Sequence, residues 1–140
     1  MEQVNVKING VSYEVPADST ILEAARYAGI DIPTLCYLKD VNQIGACRMC
    51  MVEVKGARSL VAACVYPVND GIEVFTNSPK VQESRRMTLK LLLSVPDQTC
   101  LSCARRGKCQ FQRLFTHRGI DEEHRTEGWV PAAHYDSARL

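Results

Sequence analysis

Apolar and polar residues alternate along the first fifteen positions. Val4, Val6 and Ile8 alternate with polar neighbours, Asn9-Gly10 follows, and Val11, Tyr13 and Val15 alternate again. Two runs of period two around Asn-Gly predict a β-hairpin, because both residues tolerate the left-handed backbone that a tight hairpin turn requires. Pro16 ends the second strand. Thr20-Ile21-Leu22-Glu23 has the spacing of a capping box, so a helix begins after Thr20, runs through Ala24, Ala25 and Ala28, and stops at Gly29. Strand patterns return at Met51–Val54, Leu60–Ala63 and Ile72–Thr76, and Gly56 and Asn69-Asp70-Gly71 mark turns between them. Ser78-Pro79 starts a second long helix running to about Ser94, with Val81, Thr88, Leu91 and Leu92 on one face. This helix is expected to carry the chain away from the sheet. A short helix is expected from Cys109 through Phe115, followed by an irregular tail with Trp129 and Tyr135 as docking candidates.

The pattern predicts an α+β fold. A β-grasp domain occupies residues 1–78, and residues 79–140 form a small helical, cysteine-rich unit with its tail. A chain of 140 residues with 46% hydrophobic and 24% charged positions is ordinary for a globular protein. Its net charge of +1 gives no electrostatic case for nucleic acid. No stretch is long and apolar enough to span a bilayer, and the first ten residues lack a signal-peptide core. These features point to a cytoplasmic protein.

The seven cysteines change this picture. Disulfides rarely persist in a reducing compartment, and an odd number does not pair off, so metal binding is expected. Cys36, Cys47, Cys50 and Cys64 form a C-x10-C-x2-C-x13-C pattern. Four thiolates satisfy either zinc or an iron–sulfur cluster. On spacing alone, Cys47 and Cys50 place two thiolates on one metal while Cys36 and Cys64 close the other side. Gly45 and Ala46 let the backbone approach the centre, and Ala62 and Ala63 precede Cys64. Small residues of this kind suit a cluster whose sulfurs accept main-chain hydrogen bonds.

Three runs carry a family resemblance: Thr20–Ala25, Gly29–Tyr37 and Gly45–Val54. They resemble the N-terminal [2Fe-2S] domain of iron-only hydrogenases, of the large iron–sulfur subunit of complex I, and of related NAD-linked hydrogenase and formate dehydrogenase subunits. The resemblance implies a ferredoxin-like β-grasp domain with Cys36, Cys47, Cys50 and Cys64 as [2Fe-2S] ligands. In the same family a second unit binds a [4Fe-4S] cluster through a His-x3-Cys-x2-Cys-x5-Cys box. Cys100, Cys103 and Cys109 match that box, but Pro96 stands where the histidine belongs. Proline cannot ligate iron, so the fourth ligand is unknown; Asp97, His117, His124 and His134 are the nearby candidates.

No paired carboxylates, Ser/His/Asp set or phosphate loop emerges, so no catalytic site of the chain's own is expected. The expected function is relay of single electrons within an NAD(P)H dehydrogenase or iron-only hydrogenase type complex. The expected partners are a flavoprotein or a hydrogenase or dehydrogenase catalytic subunit, and a ferredoxin-type redox protein. The alternative is a zinc-stabilised four-cysteine interaction module without redox activity. Arg105, Arg106, Lys108, Arg113 and Arg118 make the second unit basic, with no acidic residue from Gln98 to Ile120. That face is either simply solvated, offsetting cluster charge, or a docking patch for an acidic redox partner.

Overall fold

The computed structural model describes residues 2–93 and 102–117. The elements are β1 (Gln3–Ile8), β2 (Val11–Pro16), α1 (Ile21–Tyr27), β3 (Met51–Val54), β4 (Val61–Ala62), β5 (Ile72–Phe75), α2 (Pro79–Leu93) and α3 (Gln110–His117). The five strands form one mixed sheet in the order β2-β1-β5-β3-β4. The hairpin strands are antiparallel, β1 runs parallel to β5, and β3 is antiparallel to both of its neighbours. A hairpin, a helix and a return strand inserted beside β1 make up the expected β-grasp.

The hairpin turn works as its sequence predicts. Asn9 and Gly10 both have positive φ, +52° and +89°, which matches the turn to the strand twist. Asn9 also ties the hairpin to the end of β5. Its amide nitrogen donates to Thr76 Oγ1 at 2.8 Å, and its carbonyl oxygen accepts from the Thr76 N–H at 3.0 Å. Asn9→Ala loses both bonds and strains the left-handed turn, so it is expected to cost about 2 kcal/mol of stability in urea unfolding. A loss under about 0.5 kcal/mol would show that these bonds contribute little.

Helix α1 begins with the complete capping box. The Thr20 hydroxyl accepts from the Glu23 N–H, and the Glu23 carboxylate accepts from the Thr20 N–H at 2.9 Å. Ile21, Leu22, Ala24 and Ala25 are fully buried and join Val6, Ile8, Val15, Val52 and Val74 in the core. Gly29, at φ +78°, stands just beyond the helix end as its terminator.

The chain divides into two compact units, Met1–Leu89 and Lys90–Leu140. Most of α2 therefore belongs with the sheet unit and does not lead away from it. Its inward row is Val81, Arg85 and Leu89, at 0%, 2% and 0% exposure, whereas Leu91, one of the residues expected on the apolar face, is 64% exposed. An arginine in the middle of the inward row hides it from a hydrophobicity pattern. Arg85 is held there because its Nη2 donates to the Met51 carbonyl, the first residue of β3, at 3.1 Å.

In the second unit α3 starts at Gln110, one residue after Cys109. Pro96, Asp97, Cys100, Arg118, His124, Trp129, His134 and Tyr135 lie outside the described residues.

Candidate metal centre

The sheet brings the first four cysteines together from two directions. Cys50 immediately precedes β3, and Cys64 follows β4 after one residue. The antiparallel register opposes Met51 to Ala62, and the Ala63 N–H donates to the Cys50 carbonyl at 3.2 Å. This pairing sets Cys50 and Cys64 side by side, at 2% and 1% exposure. Helix α1 braces the turn that carries Cys64: the Leu22 N–H donates to Ala63 O and the Ile21 N–H to Tyr66 O, both at 2.9 Å. Two amides of the helix's first turn, which have no partner inside a helix, are satisfied in this way.

Cys36 and Cys47 lie at the two ends of a loop and are half-buried. The Cys47 N–H donates to Cys36 Sγ at 3.5 Å, and the Met49 N–H donates to Cys47 Sγ at 3.4 Å. Inside the loop, Asn42 Nδ2 donates to the Cys36 carbonyl at 2.9 Å, and Leu38 and Asn42 bridge across a turn with Asp40 at φ +62°. The residues between Cys36 and Cys47 carry no periodicity, as a loop requires, yet this turn is ordered by its own side chains. Its signal is the Asp and Asn pair, the residue types that tolerate left-handed backbone and bond to their own chain.

The thiols form two pairs. Cys47 lies beside Cys36, its N–H directed at the Cys36 sulfur, and the β3–β4 register sets Cys64 beside Cys50. Arg48, between Cys47 and Cys50, takes φ +58°, and Cys50 leads directly into β3. Two neighbouring pairs of thiols suit a centre of two metal atoms, each taking two thiolates.

The electrostatics of the pairs differ. Burial pushes the Cys47 thiol up, but hydrogen bonds from the main chain at Met49, Leu35 and Cys36 and from the Cys36 side chain outweigh it, so its pKa is lowered. Donors aimed at a sulfur favour the thiolate, the form that binds metal. Burial first, then the hydrogen bond and charge of Cys50 and the charges of Cys36 and Cys47, push Cys64 up to about 12. Several negative sulfurs in one buried pocket resist the last ionisation, and a cationic metal core removes that resistance. Four sulfurs in pairs, with main-chain N–H groups directed at them, fit a [2Fe-2S] cluster.

Gly45 and Ala46 stand just before Cys47. Gly45 is buried at φ +63°, and a Cβ there would lie 3.4 Å from both methyls of Val65. Ala46 is exposed. Gly45→Val forces a branched side chain into left-handed backbone and against Val65. It is expected to lower stability by about 2 kcal/mol and to speed loss of bound metal, read as decay of visible absorbance. Unchanged decay would show that the loop does not need glycine.

In the second unit, Cys103 is exposed and Cys109 half-buried. The Arg106 N–H donates to Cys103 O at 3.1 Å, and the Arg113 N–H donates to Cys109 O at 3.2 Å. The structure thus describes two of the three second-box cysteines, joined by a short hydrogen-bonded loop.

Comparison with known proteins bears on both sites. The family model for a 2Fe-2S iron–sulfur cluster binding domain matches residues 1–79, and the model for the NADH-ubiquinone oxidoreductase-G iron–sulfur binding region matches residues 85–124. Both describe iron–sulfur binding, not a zinc module. Among curated relatives, the NADP-reducing hydrogenase subunit HndD of Solidesulfovibrio fructosivorans is 45% identical over 127 residues, covering 87% of this chain and 22% of that protein. The NADH-ubiquinone oxidoreductase 75 kDa subunit of Reclinomonas americana is 41% identical over 118 residues, covering 84% of this chain and 17% of that protein. The chain thus spans about a fifth of the length of these relatives. Among solved structures, a chain of an NAD+-reducing [NiFe]-hydrogenase in its H2-reduced state superposes with a TM-score of 0.78 at 30% identity, over 84% of this chain and 50% of that one.

Proposed function

This chain belongs to the family of 2Fe-2S iron–sulfur cluster binding domains, and from that membership we propose that it relays single electrons within an NAD(P)-linked hydrogenase or NADH dehydrogenase type assembly. The observation that carries the proposal is the arrangement of four thiols in two pairs on a braced sheet, with main-chain donors directed at the sulfurs. In this reading Cys36 and Cys47 hold one iron, and Cys50 and Cys64 the other. Cys100, Cys103 and Cys109 hold the [4Fe-4S] cluster of the second box, with a fourth ligand that Pro96 cannot supply.

When bound, an iron–sulfur cluster supplies one-electron chemistry at a potential set by its surroundings. The chain's own residues set those surroundings. The Cys47 and Met49 N–H groups draw charge from the sulfurs on the loop side, which favours the reduced state. Cys50 and Cys64 keep the other side dry. The half-buried Cys36 and Cys47 leave the loop side nearer to solvent, where an electron can enter or leave.

The relatives are subunits of an NADP-reducing hydrogenase and of an NADH-ubiquinone oxidoreductase, which supports a catalytic subunit as partner; a flavoprotein and a ferredoxin-type donor or acceptor complete the proposed set. The domain limits belong to the same reading: the cluster domain occupies residues 1–78, α2 packs on it as far as Leu89, and the remainder of 79–140 forms the second unit. Among the described residues no helix is long and apolar enough to cross a membrane. A reducing cytoplasm is the compartment in which cysteines stay available to metal. The test is reduction of the anaerobically purified chain with dithionite and reoxidation by a one-electron dye. Reversible bleaching of visible colour is expected, and a colourless, zinc-loaded protein would overturn the reading.

A further inference from the structure

The loop between Cys103 and Cys109 holds Arg105, Arg106 and Lys108, and α3 adds Arg113 in its first turn. All four side chains are exposed, and among the described residues none pairs with a carboxylate. The whole chain carries a net charge of only +1, and no acidic residue occurs from Gln98 to Ile120, so positive charge is concentrated here.

The loop is built to hold these charges outward. The Arg106 N–H donates to Cys103 O at 3.1 Å and the Lys108 N–H to Arg105 O at 2.9 Å, which makes two successive tight turns. Gly107 takes φ +79°, and its N–H donates to Gln112 Oε1 at 3.0 Å, which pins the loop to α3. Such a loop loses little conformational freedom on meeting a partner. If the basic residues served only to neutralise the metal site, they would be expected to fold over the cysteines and give up their hydration. Here the charges stand in solvent, where they act at a distance and steer encounter.

We propose that this loop docks an acidic surface of a protein redox partner and so brings the partner's centre against the Cys103–Cys109 edge. The inference rests on the electron-relay reading and adds to it the face and the charge of the partner. Single-stranded nucleic acid is the less suitable occupant, because such sites interleave exposed aromatics with basic residues. The one aromatic among residues 102–114 is Phe111, and it is half-buried.

The test uses the full chain, purified anaerobically, with a strongly acidic plant-type [2Fe-2S] ferredoxin as the probe. Affinity is measured by calorimetry across a range of salt concentrations, for wild type, for the triple variant Arg105→Glu/Arg106→Glu/Lys108→Glu, and for Lys80→Glu on α2 as a charge control. Wild type and Lys80→Glu are expected to bind alike and to weaken as salt rises. The triple variant is expected to bind at least about tenfold more weakly, with a flattened salt dependence and unchanged iron content. Equal binding by wild type and triple variant, with iron in place, would overturn the docking surface and leave the relay standing. Tighter binding of a single-stranded DNA oligomer than of the ferredoxin, lost in the triple variant, would overturn it in favour of nucleic acid. Absence of iron from wild type would remove the relay reading and this inference together.

Discussion

Cys50→Ser is expected to abolish the first cluster. Cys50 is 2% exposed and paired with Cys64, where β3 begins. Serine offers a harder, shorter ligand with a far higher pKa, and without metal it leaves a hydroxyl in a dry pocket. The iron content is expected to fall by about two per chain, with loss of the corresponding visible absorbance. Stability should fall as well, because metal binding to a site that folding assembles contributes folding free energy. Cys36→Ser provides the contrast. Cys36 is half-buried at the loop edge, where water can solvate a hydroxyl, so its effect on iron is expected to be smaller. Equal iron in wild type and Cys50→Ser would remove Cys50 from the ligand set.

Arg85→Ala is expected to be the most damaging change away from the cysteines. It deletes a side chain at 2% exposure from between Val81 and Leu89, and it strips the Met51 carbonyl of its donor at 3.1 Å. A cavity and a broken buried hydrogen bond together cost about 3 kcal/mol. The effect should reach the metal, because Met51 directly follows Cys50. Chemical unfolding should show the lost stability, and the visible chromophore should decay faster on exposure to air. Arg85→Lys should recover only part of the loss, since a lysine cannot reproduce the planar geometry of the guanidinium. A change of under about 1 kcal/mol in Arg85→Ala would show that α2 is not anchored through this bond.

The parts of the fold legible in the sequence are those where local chemistry and tertiary context agree. Asn9-Gly10 has one favourable role, and the Thr20–Glu23 box reads directly as a helix start. The strands are legible from their alternation, and the spacing of the four cysteines points to a metal set. The docking of α2 was hidden, because its inward row contains an arginine whose reason for being there lies in β3, more than thirty positions away in sequence. The placement of Cys64 was hidden for a similar reason: the β3–β4 register sets it beside Cys50, across thirteen intervening residues, which no local spacing shows. The turn around Asp40 and Asn42 depends on a side-chain bond to Cys36 O that no periodicity shows.

The central claim is that the two thiol pairs hold a two-iron cluster that carries one electron. It is tested most directly by electron paramagnetic resonance on the anaerobically purified chain, reduced stepwise, with iron and zinc measured on the same sample. A signal from a reduced [2Fe-2S] centre is expected, lost in Cys50→Ser, with a second signal from the [4Fe-4S] centre and about six irons per chain when both sites are full. Stoichiometric zinc, no iron and no signal at any stage of reduction would contradict the account.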